Sequence, residues 1–297
     1  MAEQEPKWAL IVHGGAKEIE RGDEQANRDG VRQAAEAGRR VLTDGGSAVD
    51  AVECAIMVLE SLPVFNAGVG SALNAAGGIE MCSGLMDGSD RSVGAVTVIR
   101  GVRHPISVAR RLLPEKEILL AGEGAFIFAR EQQLELIDEG ELRSDAAPPQ
   151  QEHDTVGAVA LDRAGHVAAG TSTGGLTGSR VGRIGDSPQP GCGLYADDRI
   201  GGVALSGDGE TIARVVLASK IMNRLEVGEK PQEAIASALS ELPEVGGDDA
   251  DGGAIAITRD GRVGWSHNSP HFAVAYVHER MNEPGVWLAK SEDSTAP

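Results

Sequence analysis

A chain of 297 residues can bury a large core, and its 45 acidic against 27 basic residues leave a formal net charge of −18 at pH 7. That charge, with a sequence pI near 4.8, argues against nucleic acid or an anionic membrane as a partner. The three cysteines, Cys54, Cys82 and Cys192, are odd in number, widely spaced and set among apolar or small residues, so reduced buried thiols are expected rather than a disulfide framework. Met1 to Pro6 show neither a basic nor an apolar leader region and no run approaches ~18 apolar residues, so a cytoplasmic protein is expected.

In chain order, Trp8 to Val12 reads as a strand ending in the turn His13-Gly14-Gly15-Ala16, and Gln25 to Leu42 has helical spacing. Ser47-Ala48-Val49-Asp50 is a capping box opening a helix with Val49, Val52, Ile56 and Leu59 on one face, which stops near Pro63. After the Gly-rich loop Phe65 to Ser71, strands are expected at Gly78 to Met86 and Gly94 to Arg100, a helix near Ile106 to Leu113, a strand at Ile118 to Leu120 and a helix from about Gly124 to Glu131. The acidic, Pro-containing stretch over about 133–154 reads as a mobile linker.

Beyond it come strands Val156 to Asp162 and Val167 to Thr171, an irregular Gly-rich stretch to Asp198 and a strand Gly201 to Leu205. A helix from about Glu210 to Glu226, another over Pro231 to Leu242, and strands at Ala254 to Ile257, Val263 to Ser266 and Phe272 to Val277 close the chain. Helices sit mostly at 25–60 and 210–242 with strands between, so neither half is self-sufficient. One domain spanning 1–297 is therefore expected, a four-layer α/β arrangement with two strand layers between helix layers.

The chemistry points to Thr155, where the polar segment ending His153-Asp154 meets the apolar run Val156 to Leu161. A Thr hydroxyl is a weak nucleophile, but an N-terminal Thr carries its own base, an amine of pKa ~8. Cleavage between Asp154 and Thr155 would supply that amine. Arg183-Ile184-Gly185-Asp186 offers a bidentate cation and a carboxylate in one Gly-bounded loop, suited to an amino-acid head group. Ser206-Gly207-Asp208-Gly209 lies at a helix start, where free N–H groups and the dipole favour an anion. Other patterns fail: Gly170 to Gly174 matches a nucleophile elbow but no helix start follows, His267 and His271 have a Pro between them, and Asp248 to Gly252 lacks the distal Glu of a calcium loop.

Taken together, His13 to Ala16, Ser47 to Glu53, Phe65 to Gly68, Met86 to Gly88, Gly94 to Val96, Asp154 to Val159, Thr171 to Gly175 and Gly182 to Pro188 resemble the plant-type asparaginase / isoaspartyl peptidase family of N-terminal nucleophile hydrolases. The resemblance implies an αββα sandwich and a precursor that cuts itself into an α-chain 1–154 and a β-chain 155–297. It implies a hydrolase of the asparagine side-chain amide and of β-aspartyl dipeptides, assembled as a homodimer of αβ units. By position, Thr155 matches the nucleophile, Thr173 the hydroxyl beside it, Arg183 and Asp186 the residues holding the substrate carboxylate and ammonium, and Ser206 and Gly207 the oxyanion site. Ile184, Gly185, Asp208 and Gly209 complete the substrate-binding segments, and Asn66 matches a residue near the scissile bond. No cofactor is implied for catalysis. Leu59, Glu60, Leu62, Phe65, Ala67 and Val69 match a loop whose carbonyls bind a structural Na⁺.

The chain departs from the family at Ser206, where Thr is usual, at Lys17, and at Gly178-Ser179, which borders the leaving-group side. Asp154 precedes the nucleophile where many members have Gly. Glycosylasparaginases share His-Asp-Thr and Gly-Thr-Ser-Thr, a taspase-like endopeptidase is a further alternative, and an uncleaved amino-acid-binding relative is the non-enzymatic one.

Overall fold

Residues 7–143 and 155–295 are described by the computed structural model; Asp154 and the linker stretch 144–154 lie outside them. In chain order the elements are β1 (Ala9–Lys17), α1 (Glu24–Thr43), α2 (Ala48–Glu60), β2 (Met81–Asp87), β3 (Val93–Ile99), α3 (Pro105–Leu112), β4 (Leu119–Ala121), α4 (Gly122–Glu131), α5 (Glu139–Leu142), β5 (Val156–Leu161), β6 (Val167–Thr173), β7 (Leu194–Asp197), β8 (Gly201–Gly207), α6 (Gly209–Val215), α7 (Leu217–Glu226), α8 (Pro231–Leu239), α9 (Leu242–Gly246), β9 (Gly252–Thr258), β10 (Val263–His267), β11 (His271–His278) and β12 (Gly285–Trp287). The result is a mixed α/β structure with two sheets. An eight-stranded sheet runs β12-β11-β1-β5-β6-β2-β3-β4 and a four-stranded one β10-β9-β8-β7.

The period of two along each central strand decides what packs where. In β1, Leu10 and Val12 join Val156, Ala158 and Ala160 of β5 in a cluster with Val31, Ala34, Val52 and Ile56 from α1 and α2. The intervening Ala9 and Ile11 join Val159 and Leu161 against Ala204, Ile255, Ile257 and Trp265 of the second sheet. On that sheet's other face Val203, Leu205, Ala254 and Ala256 meet Ile212, Leu217, Ile221 and Ile235 of α6 to α8. Both central strands are therefore buried on two faces, which explains their uninterrupted apolar sequence.

Capping fixes α2 against this core. Ser47 Oγ accepts the Asp50 N–H at 3.1 Å and donates to Asp50 Oδ2 at 2.7 Å, and the Ala48 N–H donates to Asp162 Oδ2 at 3.0 Å, next to the end of β5. The orphan N–H groups of the helix start are satisfied from two sides.

Three expectations change. The helix expected over 210–226 is two, split at Val216, whose φ of 53° is left-handed. The break lets the first turn of α7 donate Ala218 N–H to Cys192 O (3.1 Å) and Ser219 N–H to Gly191 O (2.9 Å), so helix restart satisfies a turn on the neighbouring loop. Residues 133–143, expected in the linker, pack instead: Leu142 is fully buried and the Ile137 N–H bonds Gly101 O at 3.1 Å. The four-residue β7 was not expected, being too short for its alternation to announce itself.

Phe65 sits between two glycines. A Cβ on Gly14 would come within 2.4 Å of Phe65 Cε1, and one on Gly30 within 2.5 Å of Cε2. Gly14→Ala and Gly30→Ala are each expected to destabilise the fold by about 1–3 kcal/mol through overpacking. Denaturant unfolding of the two variants checks this, with Gly22→Ala, whose Cβ meets nothing within 4 Å, as a neutral comparison.

Candidate active site

Thr155 stands at the edge of β5, only 6% exposed. Its N–H donates to Ser206 Oγ at 3.1 Å, and the same oxygen accepts the Ala16 N–H at 3.0 Å. Ala16 reaches it because β1 bulges between His13 and Ala16, with Gly15 at φ 108°. Thus β1, β5 and β8 meet at one buried hydroxyl. The Thr155 Oγ1 hydrogen-bonds Ser187 Oγ at 2.8 Å. Thr173, at the end of β6 and 6% exposed, uses its Oγ1 to accept the Gly175 N–H at 3.2 Å.

Ser187 also joins this hydroxyl to the charged pair. Its neighbour Asp186 is 3% exposed, its Oδ2 has no hydrogen-bond partner among the described residues, and burial pushes its carboxyl up to about 7, with Arg183 pulling down and Glu210 pushing up. Arg183 Nε and Nη2 donate to Glu210 Oε1 and Oε2 at 2.8 and 2.6 Å, the bidentate geometry guanidinium favours. Two glycines make room for this pair. A Cβ on Gly209 would lie 2.8 Å from Asp186 Oδ1 and 3.0 Å from Arg183 Nη2, and one on Gly185 3.0 Å from Arg183 Nη1. Ile184 projects partly into solvent. Gly207 holds φ 145° with a Cβ position 2.4 Å from Asp251 O, and Asp208 caps α6 by accepting Thr211 N–H at 3.3 Å. A guanidinium and a carboxyl with one unpartnered oxygen thus stand in the loop that also carries the hydroxyl bonded to Thr155.

Asn66 is fully buried but has its bonds elsewhere: Nδ2 donates to Gly175 O at 2.6 Å, Oδ1 accepts Ala72 N–H at 2.9 Å, and its carbonyl accepts Gly174 N–H at 2.7 Å. It locks the segment after Thr173 to the Gly-rich loop. In that loop the carbonyls of Leu59 and Leu62 accept turn N–H groups and Glu60 O accepts Val69 N–H at 2.7 Å. Carbonyls also gather around the glycines, since a Cβ on Gly68 would lie 2.2 Å from Glu60 O and one on Gly70 2.6 and 2.7 Å from Pro63 and Phe65 O. Neutral oxygens so gathered are donors of the kind a hard cation takes. Among the described residues no group of three or more His, Cys, Asp or Glu is placed to hold a metal.

Sequence reasoning missed three side chains. Ser187 lacks any spacing signal because its partner is 32 positions away. The Glu60 carboxyl, fully buried, accepts from Ser172 Oγ (2.6 Å) and Ile106 N–H (3.0 Å) and contacts His104 Nδ1 at 3.1 Å, so it braces the strand carrying Thr173; burial raises its pKa. The same bond turns Ser172 away from the nucleophile-elbow role. His13 lies opposite Gly157, its Nε2 2.3 Å from where a Gly157 Cβ would be, and stacks on Phe272 at 5.1 Å. Burial pushes its pKa down to about 3, and the Thr155 backbone that approaches the ring offsets part of this. The neutral ring therefore wedges beneath Thr155.

Compared with known proteins, residues 6–148 and 137–285 match the asparaginase family model. An isoaspartyl peptidase/L-asparaginase of Xenopus laevis is 40% identical, the alignment covering 98% of each chain. One of Danio rerio is 38% identical over 97% of each, and a plant-type L-asparaginase of Pyrococcus abyssi is 38% identical over 93% of this chain and 98% of its own.

Ser206→Ala removes the acceptor of two buried N–H groups at once. About 1–3 kcal/mol is expected for each orphaned donor, while Ser206→Thr, which keeps the oxygen, stays close to the parent. Unfolding of both variants in denaturant distinguishes the two outcomes.

Proposed function

Because this chain belongs to the asparaginase family, we propose that it hydrolyses the side-chain amide of L-asparagine and the isopeptide bond of β-aspartyl dipeptides, with Thr155 as the nucleophile. The observation that carries the assignment of residues is the meeting of a buried threonine, a buried hydroxyl at Ser206 and the Arg183–Asp186 pair in one place. Helices on the outer faces of two facing sheets support an αββα sandwich of the N-terminal nucleophile type, one domain over 1–297.

The chain is a precursor that cuts itself between Asp154 and Thr155 into an α-chain 1–154 and a β-chain 155–297. In the mature enzyme Arg183 takes the substrate α-carboxylate and Asp186, as carboxylate, its α-ammonium. The Thr155 amine accepts the proton of its own hydroxyl as Oγ1 attacks the side-chain carbonyl. Both lone pairs of Ser206 Oγ are engaged by the Ala16 and Thr155 N–H groups, which leaves its proton to donate to the oxyanion beside the Gly207 N–H. The amine returns the proton to the leaving nitrogen, and ammonia or the second amino acid departs. Water, deprotonated by the same amine, then cleaves the β-aspartyl ester. A Na⁺ on the carbonyls of Leu59, Glu60, Leu62, Phe65, Ala67 and Val69 would stiffen the loop bearing Asn66. The reading extends to a homodimer of αβ units in the cytoplasm, free of nucleic acid and membrane. No described helix is long and apolar enough to cross a membrane.

Two outcomes are expected. On denaturing electrophoresis the purified protein runs as two fragments and Thr155→Ala as one uncleaved chain; cleavage in the variant overturns the nucleophile. Asp186 must be ionised to hold an ammonium, and its free-enzyme pKa is raised to about 7. Acidification therefore removes the binding form: on top of the fall as the Thr155 amine of pKa ~8 takes up a proton, kcat/KM shows a second step below about 7, where its slope rises from about tenfold to about a hundredfold per pH unit. Asp186→Asn should be poor throughout and lack the step.

A further inference from the structure

We infer that Ser187 is the residue that positions the Thr155 hydroxyl for cleavage of the uncleaved chain, an inference that rests on the self-processing reading above. In the mature enzyme the Thr155 amine can take the hydroxyl proton. In the uncleaved chain that nitrogen is an amide without basic character, and its N–H is spent on Ser206 Oγ at 3.1 Å. The orientation of Oγ1 must come from another side chain.

Two hydroxyls compete for that part. Thr173 directs its Oγ1 to the Gly175 N–H at 3.2 Å, whereas Ser187 Oγ stands 2.8 Å from Thr155 Oγ1, with Ser187 2% exposed. The Ser187 backbone is itself anchored. Its carbonyl accepts Thr171 Oγ1 at 2.6 Å, and the Thr171 carbonyl in turn accepts Ser83 Oγ at 2.7 Å, so β6 and β2 hold its backbone. Gly193 packs against it so closely that a Cβ there would lie 2.7 Å from the Ser187 Cα. An anchored hydroxyl hydrogen-bonded to Thr155 Oγ1 restricts the nucleophile to one rotamer.

The step balances without any outside reagent. The bond from Oγ1 to the Asp154 carbonyl carbon forms, the Asp154–Thr155 C–N bond breaks, and the Oγ1 proton ends on the Thr155 nitrogen, giving an ester and an amine. Water then hydrolyses the ester to the Asp154 carboxylic acid and restores the Thr155 hydroxyl. Ser187 undergoes no net change. Once the amine is free, it supplies the base for turnover, so Ser187 bears on processing more than on substrate hydrolysis.

The test follows conversion of freshly synthesised chain into two fragments in a cell-free translation, for the parent, Ser187→Ala, Ser187→Thr and Ser187→Cys, and measures kcat on the fully cleaved fraction of each. Loss of positioning is expected to slow processing by Ser187→Ala on the order of a hundredfold, with kcat reduced far less. Ser187→Thr, which keeps the oxygen, should restore most of the rate, and Ser187→Cys, a weak hydrogen-bonding group of similar shape, should fall between. A parent that cleaves while Ser187→Ala cleaves equally fast overturns the inference alone. So does a parallel loss of processing and kcat, or failure of Ser187→Thr to rescue. Should Ser187→Ala fail to fold, the ordering of the Thr and Cys variants decides in the same way. A parent that never cleaves overturns the self-processing reading and this inference together.

Discussion

A single buried oxygen, Ser206 Oγ, holds the two sheets in the relation on which the site depends. It takes the N–H of Ala16 from the end of β1 and of Thr155 from the start of β5, while its own backbone belongs to β8 in the other sheet. Two buried donors on one acceptor leave little freedom to slide, because any shift leaves an N–H unpaired in a dry interior. The bulge in β1 exists at the point where that reach is needed, and Gly15 supplies the positive φ it requires.

Part of the high glycine content follows from close packing of this kind. Aromatic residues are few, so the core is made of small and branched side chains packed at short backbone separations, and glycines stand wherever something must come closer still. Gly157 admits the neutral His13 ring, Gly174 admits Asn66, and Gly209 admits Asp186 and Arg183. At each of these positions a methyl group would displace a side chain that shapes the site. The cost of burying Asp186 without a full set of partners is visible in its raised pKa. Arg183 is held by Glu210 through two bonds, which fixes the direction of its guanidinium.

Most of the elements were legible because local pattern and tertiary role agree. The capping box at Ser47, the two-sided apolar runs of β1 and β5, and the amphipathic α1 each announce themselves in a dozen residues. What stayed hidden depends on distant partners. The break at Val216 answers to the carbonyls of Gly191 and Cys192, not to any helix-breaking residue in 210–226. Leu142 packs because β3 and α3 leave a hydrophobic slot for it, which an acidic stretch does not advertise. At the site, the short motifs around Thr155, Arg183 and Ser206 could be read from type and spacing, and the structure brings those three segments together. The Ser187–Thr155 bond and the Glu60 carboxyl under Ser172 could not, since each joins residues 32 and 112 positions apart.

The central claim is that Thr155 becomes an N-terminal nucleophile, and the most direct measurement is N-terminal sequencing of the smaller fragment of the purified protein. The expected readout is Thr-Val-Gly-Ala-Val-Ala, the residues from Thr155 onward. A fragment beginning at any other residue, or a fully active protein that remains one intact chain, would contradict it.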